Sequence, residues 1–121
     1  MQIEALSAVV FTSPDPDRLA DFYRAHLGIP FQHESHGPMK DHLEAELGGL
    51  HFAVLKGKGP GDAGGAVAPT FLVKQLDDHV AALARAGVPR MHKIVDLAED
   101  KRLASFRDPD GNVFHLIDLG R

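Results

Sequence analysis

Several histidine and glutamate residues on predicted strands have side chains suited to chemistry. His115 lies in the apolar run that follows the turn at Asp108–Gly111, and His51 lies in another apolar run. His42 and Glu44 share one face of an alternating strand. Because imidazoles and carboxylates transfer protons, Glu44 and His42 are candidate catalytic residues. For each histidine on an apolar strand, a satisfied core residue and a ligand remain alternative interpretations.

A second group of polar residues consists of candidates for contact with a substrate. His33 and His36 are three positions apart, which places them on opposite faces of a strand, so both are predicted to be surface or loop residues. His36, at the exit of that strand, could still reach a binding site, as could His42. Arg102 could grip a carboxylate bidentately, although a solvated charge on an edge strand is the alternative. We therefore take His36, His42 and Arg102 as candidate substrate-binding residues.

The composition excludes several classes of partner and site. The chain has 121 residues, a formal net charge of −4 and no cysteine. A net negative charge argues against nucleic acid or an anionic membrane as the partner. Without cysteine, disulfides, thiolate metal sites and thiol nucleophiles are excluded. The first residues lack the basic and apolar regions of a signal peptide, so we expect a cytoplasmic location.

The first half of the chain is predicted to form a β-α-β-β-β unit. Residues 5–11 are an apolar run typical of a strand. Asp15 followed by Pro16 predicts a helix start, and Gly28 predicts the position just past its end. Strands are then predicted over residues 31–35, 41–47 and 50–55.

A glycine-rich segment separates this unit from the second half. Five of the nine residues from 57 to 65 are glycine, and no Gly-Lys-Ser/Thr motif follows. The segment therefore predicts a flexible linker and not a phosphate-binding loop.

The second half repeats the pattern of the first. Strands are predicted over residues 70–73, 91–95, 101–106 and 112–119, with the last strand buried on both faces. The helix between the first two strands begins at Leu76 and is closed by Gly87. Its predicted inward-facing residues are Val80, Ala81, Leu83 and Ala84.

Matching positions in the two halves, such as Phe11 with Phe71, indicate an internal repeat. The predicted fold is α+β, with two βαβββ modules forming a curved eight-stranded mixed sheet, a cup-like half-barrel. The predicted organisation is a single domain over residues 1–121, with module 1 at about 1–56, the linker at about 57–67 and module 2 at about 68–121.

This chain resembles the vicinal oxygen chelate superfamily over essentially its whole length. The resemblance is carried by the double βαβββ pattern, by Phe22-Tyr23 ahead of Leu27-Gly28, and by the Asp-Pro-Asp-Gly-Asn turn at residues 108–112. The superfamily includes glyoxalase I, extradiol dioxygenases, fosfomycin-resistance proteins and bleomycin-binding proteins. The stretch His33–Pro38, with His42, is also similar to a bacterial glyoxalase-like subgroup.

The resemblance implies metal positions on the first and last strands of each module. On the last strands, these positions fall on His51 and His115, which the resemblance places at equivalent points of the two repeats. On the first strands, they fall on Ala8 and Ala68, which have no donor atoms. The implied cofactor is a divalent metal such as Zn, Ni, Mn or Fe, with His42 and Glu44 as the nearest additional donors.

Two classes of function follow from the resemblance. One is a metal-assisted lyase, isomerase or dioxygenase that acts on a small oxygen-rich substrate. The alternative is a metal-free protein that binds and sequesters a small antibiotic-type molecule, as the absent donors at Ala8 and Ala68 suggest. A homodimer is expected in either case, because two small modules leave sheet edges that need covering.

Overall fold

Two βαβββ modules make up the described part of the chain, as the sequence predicts. The computed structural model describes residues 8–36, 39–58, 68–98 and 100–120. The chain divides into two compact units, Met1–Pro60 and Gly61–Arg121, and each unit contains one module. Each module has one helix and an open four-stranded mixed sheet, which confirms the α+β class. Most of the predicted linker, from residue 59 to residue 67, lies outside the described residues.

Module 1 has one parallel and two antiparallel strand pairs. Its elements are β1 (Ala8–Ser13), α1 (Pro16–Leu27), β2 (Gln32–His36), β3 (Met39–Leu47) and β4 (Leu50–Lys56). The strand order is β1-β4-β3-β2, and β1 runs parallel to β4. The first and last strands of the module are therefore neighbours.

Module 2 repeats this topology with shorter strands. Its elements are β5 (Thr70–Leu72), α2 (Leu76–Arg85), β6 (Val95–Ala98), β7 (Lys101–Arg107) and β8 (Val113–Asp118). The strand order is β5-β8-β7-β6, with β5 parallel to β8. No helix among the described residues of either module is long and apolar enough to cross a membrane.

Helix α1 begins and ends where the sequence predicts. The Asp15 side chain accepts a hydrogen bond from the Arg18 backbone N–H at 3.2 Å, and Pro16 occupies the first turn. At the other end, Gly28 has φ 66°, a left-handed conformation that glycine adopts without steric cost. Local sequence alone is therefore sufficient to define this helix.

Aromatic side chains form the core between α1 and the sheet of module 1. Tyr23, which is fully buried, lies 5.6 Å from Phe52 and 6.3 Å from Phe11, measured between ring centroids. Phe31 contacts Phe52 edge-on at 5.2 Å. This packing fixes one face of β4 against the helix, and it leaves the other face of the sheet available for a site.

Helix α2 buries a narrower stripe than the sequence predicts. Leu76 and Leu83 are buried and Val80 is half-buried, whereas Ala81 and Ala84 are exposed. The prediction of inward-facing alanines at 81 and 84 is wrong, because the i, i+4, i+7 stripe of larger side chains already covers the sheet.

The N-terminus of α2 is capped from a distant strand. Gln75, at the cap position, has φ 58° and makes no side-chain cap hydrogen bond. Instead, the Asp118 carboxylate at the end of β8 accepts a hydrogen bond from the Leu76 N–H at 3.1 Å. The backbone N–H groups of Gly120 and Leu76 hold the pKa of Asp118 below its ordinary value.

Two strand predictions for module 2 are wrong in detail. The second strand of the module, β6, begins at Val95, and residues 91–93 form bends where a strand is predicted. Only the Met91 N–H continues the pairing, by donating to the Ser105 carbonyl at 2.8 Å. Strand β8 is buried on one face, through Phe114 and Leu116, and half-buried on the other. An apolar run alone could not distinguish these cases.

Candidate functional site

The sheet of module 1 has a polar face opposite α1. Because successive strand residues alternate, the buried Leu43 and Ala45 face the helix with Phe52. The polar face therefore carries the following side chains of β3 and β4: His42, Glu44, Glu46, His51 and Ala53. This face brings the two candidate catalytic residues together with His51.

Glu44 lies between two imidazoles on this face. Its Oε2 atom is hydrogen-bonded to Nε2 of His42 at 2.9 Å, and its Oε1 atom forms an ion-pair contact with Nδ1 of His51 at 2.9 Å. His42, Glu44 and His51 thus form a row of three side chains. The side-chain exposure rises along this row, from 1% for His42 to 22% for Glu44 and 53% for His51. The row therefore runs from a buried anchor to an accessible ring.

A depression in the surface of module 1 adjoins the accessible end of this row. Its volume is about 300 Å³, and it is lined by Pro30, Gln32, Glu34, Glu44, Ala45, Glu46 and His51. Gln32 and Glu34 come from β2, where they pair with Glu44 and His42 respectively. Gln32 and Glu34 are not among the residues predicted from the sequence, although the register of a β2–β3 hairpin indicates both.

Ser105 and His115 form a second polar pair, on the sheet of module 2. The Ser105 hydroxyl and Nδ1 of His115 are 2.7 Å apart, and the residues face each other across β7 and β8. Ser105 is buried and His115 is half-buried. The apolar side chains of Leu103 and Ile117 form the next pair along the same face. The polar pair therefore lies between the apolar pair and further polar residues of this face, Arg107 on β7 and Thr70 on β5.

The strand register contradicts the predicted equivalence of His51 and His115. Phe11 pairs with Val54, whereas its counterpart Phe71 pairs with Leu116. The residue of module 1 that corresponds to His115 is therefore Ala53, and His51 is two positions away along β4. A shift of two residues keeps the same face but changes the neighbours. The two histidines thus lie at different points of the repeat.

Whether a metal ion would fit depends on the donor atoms around His51 and His115. His51 pairs with Ala8 on β1, whereas His115 pairs with Thr70 and not with Ala68. Among the residues that the structure describes, no three His, Asp or Glu side chains are grouped so that they could hold a metal ion. These donor sets do not fit a divalent metal in either module. The metal role of His51 and His115 stays a prediction that the donor chemistry does not support.

Arg102 is engaged by helix α2. Its Nη1 and Nη2 atoms are hydrogen-bonded to the two carboxylate oxygens of Asp77 at 3.2 and 3.0 Å. The guanidinium holds the pKa of Asp77 below its ordinary value, and Asp77 raises that of Arg102. Since Arg102 alternates with Ser105 along β7, it lies on the helix side, away from the polar pair. Arg102 therefore braces β7 against α2, and its role as an anion anchor for a substrate stays a prediction.

His33 lies at the surface, as predicted, and is held by two carboxylates. Its Nδ1 atom contacts Asp41 at 2.9 Å, and its Nε2 atom contacts Asp17 at 3.0 Å. These contacts, first of all that with Asp41, raise the pKa of His33. His36 ends β2, but its side chain lies outside what the structure describes.

Several solved structures of other proteins have the same fold as this chain. A glyoxalase/bleomycin resistance/dioxygenase superfamily member from Sphaerobacter thermophilus has a TM-score of 0.77 and 21% identity, covering 96% of this chain and 98% of its own. The antibiotic-binding protein TnmS3 from Streptomyces sp. CB03234 has a TM-score of 0.75 and 23% identity, covering 98% of both chains. The fosfomycin resistance protein FosX from Listeria monocytogenes has a TM-score of 0.75 and 16% identity, covering 97% and 94%.

The fold of this chain is thus that of the glyoxalase/bleomycin resistance/dioxygenase superfamily, and a family match as well confirms the predicted resemblance. The model of a glyoxalase-like domain matches residues 8–117, and the chain belongs to this family. A search of curated proteins found no match. The family defines the fold, and the function has to be argued from the side chains.

Proposed function

We propose that this protein binds a small oxygen-rich molecule in the depression on the polar face of module 1, without a metal. The observation that carries the proposal is the position of Glu44, whose two carboxylate oxygens are held by His42 and His51 at the edge of the depression. A carboxylate held in this way is oriented before a ligand arrives, which reduces the entropy lost on binding.

The lining of the depression indicates the chemistry of the ligand. Glu34, Glu44 and Glu46 offer acceptor oxygens, and Gln32 offers both donors and acceptors. Hydroxyl groups are suited to such a surface because each can donate to a carboxylate. The similarity to TnmS3, an antibiotic-binding protein, and to FosX, a fosfomycin resistance protein, also supports a small-molecule ligand.

Ligand titration of the metal-stripped protein tests this proposal. We would follow backbone amide shifts of protein treated with EDTA, using a panel of polyhydroxylated compounds together with fosfomycin and bleomycin. We expect at least one compound to shift amides around the depression, and Glu44→Gln to weaken its binding by about tenfold or more, the loss of one charge-assisted hydrogen bond. Asp78→Asn, an exposed change on α2, serves as the control and should leave binding unchanged. Binding that disappears on chelation would contradict the metal-free proposal.

A metal-assisted lyase, isomerase or dioxygenase is the second candidate function. It is favoured by one observation: Nδ1 is held by an oxygen atom in both His51 and His115, a pattern typical of metal-ligating histidines. Elemental analysis of protein purified without a metal-affinity tag separates the two candidates. Stoichiometric zinc, nickel, manganese or iron would support this function against the first.

We further propose a homodimer. The edge strands β1 and β5 expose apolar side chains, with Val10 52% and Leu72 66% accessible, and exposed apolar edges favour association. A light-scattering mass near 13.1 kDa over a wide range of concentration would contradict it. The cytoplasmic location stays a prediction.

A further inference from the structure

The contact between Glu44 and His51 determines which nitrogen of His51 carries its proton. Nδ1 of His51 lies 2.9 Å from the Glu44 Oε1 atom. An ionised carboxylate can only accept, so at this distance Nδ1 must donate its proton toward Glu44. In the neutral ring, Nε2 is then the unprotonated atom and carries a free lone pair. The accessible imidazole is thus held as a base.

The carboxylate of Glu44 is itself held in place by His42. The second oxygen of its carboxylate is hydrogen-bonded to His42, whose side chain is only 1% exposed. A buried partner has little freedom to move, so it limits rotation of the carboxylate. This row resembles the arrangement in which an acidic residue orients a histidine and stabilises the imidazolium that forms when the histidine accepts a proton.

Nε2 of His51 is placed where a bound molecule could reach it. The side chain is 53% exposed and lines the depression of about 300 Å³, at the lower end of the range for small-molecule pockets. Nε2 of His51 makes no hydrogen bond or ion pair with the residues that the structure describes. It therefore combines access with a fixed tautomer.

We propose that His51 acts as a general base on the molecule bound at this site, with Glu44 as its positioning residue. This inference rests on the proposed binding site, and it adds an activity to it. A carbon or oxygen acid in the depression transfers its proton to Nε2, and the bonding electron pair stays on the substrate. The imidazolium that results is stabilised by the Glu44 carboxylate until water removes the proton.

The tautomer of His51 tests the inference on the unmodified protein. Nitrogen-15 spectra, recorded well above the ordinary histidine pKa of about 6.5, report which ring nitrogen is protonated. We expect the Nδ1–H form in the wild type and its loss in Glu44→Ala. The Nε2–H form in the wild type would overturn the inference. This measurement does not depend on a ligand, so its outcome is separate from that of the binding experiment.

A chemical probe tests the activity itself. In 5-nitrobenzisoxazole, removal of the C3 proton by a base opens the ring: the C–H electron pair forms the nitrile as the N–O bond breaks, and the oxygen becomes the phenolate of the same, coloured product. No other reactant is needed. We expect the wild type to exceed free imidazole at equal concentration by about a hundredfold, the lower end of the contribution of a positioned base.

Variants assign the rate to His51. We expect His51→Ala to reduce the rate to that of free imidazole, Glu44→Ala to reduce it about tenfold, and His92→Ala to leave it unchanged. His92 is exposed and lies in module 2, where its Nδ1 atom is hydrogen-bonded to the neighbouring Lys93 carbonyl at 2.8 Å. A wild-type rate equal to that of imidazole, or a full rate in folded His51→Ala, would overturn the inference. Ligand binding retained with loss of the rate would leave the proposed function intact.

Discussion

Replacing Glu44 with alanine should destabilise the protein more than the same change at Glu46, its neighbour on the polar face. The replacement removes the carboxylate that His42 contacts at 2.9 Å, and the His42 side chain is 1% exposed. A hydrogen bond to a charged group contributes about 1.5–3 kcal/mol when its partner is buried. Because Glu44 is 22% exposed, water offsets part of this loss, and we expect a cost of about 2 kcal/mol.

Two further variants separate the lost acceptor from the other effects of truncation. Glu44→Gln keeps an oxygen that can accept from His42, so its cost should stay below about 1 kcal/mol. Glu46→Ala shortens an exposed glutamate on the same strand, and we expect its cost within about 0.5 kcal/mol of zero. The comparison of the two alanine variants cancels the difference in strand propensity between glutamate and alanine.

Urea denaturation followed by circular dichroism measures these costs. With a slope of about 1–3 kcal/mol per molar urea, a loss of 2 kcal/mol lowers the midpoint by about 1 M. Equal midpoints for Glu44→Ala and Glu46→Ala would refute the reasoning, because they would mean that the carboxylate does not satisfy His42 in solution. A large cost for Glu44→Gln would instead assign the effect to charge.

Two other predictions concern structural contacts away from the site. A Cβ atom at Gly57 would lie 2.8 Å from Cβ of Thr12, so Gly57→Ala should cost about 1–3 kcal/mol in urea denaturation, against about 0.5 kcal/mol or less for Lys58→Ala. Equal stability of these two variants would contradict the prediction, because it would mean that Gly57 is not packed against Thr12 and belongs to the flexible linker. Arg102 lowers the pKa of Asp77 in the folded protein below its ordinary value of 3.8. The stability that this pair contributes is therefore present above pH 3.8, and it is lost as the pH falls through the pKa of Asp77 in the folded protein. The difference in melting temperature between wild type and Asp77→Asn should therefore shrink in acid, and a difference that stays constant would contradict it.

Local signals in the sequence were sufficient for most of the fold. The cap at Asp15, the proline after it and the left-handed Gly28 define α1 without any information about its partners. The shared face of His42 and Glu44 was also predictable, because the alternation along a strand has a period of two. His42 and Glu44 accordingly share the polar face, as predicted.

The neighbours across strands were not predictable in the same way. The positions of His51 and His115 were counted from different motifs, one after β4 and one before β8. The hairpin turn before β4 has two residues, Gly48 and Gly49, whereas the turn before β8 runs from Asp108 to Asn112. A count from motifs on opposite ends of two unequal hairpins does not preserve the register, and the face is the same here because the difference is two residues. Similarly, the alternation of residues along β7 could not reveal that the guanidinium of Arg102 is hydrogen-bonded to the carboxylate of Asp77.

The capping of the two helices has a consequence for the order of folding. The capping residue of α1 is Asp15, which is three residues from Arg18, whose N–H donates to it. This helix can therefore be stabilised as soon as its own segment has formed. The cap of α2 is Asp118, which is 42 residues from Leu76, so it becomes available only when β8 has paired. Contacts of long sequence separation form late because closing the intervening loop costs entropy. During synthesis, module 1 can therefore complete its helix early, whereas α2 depends on the last strand of its module.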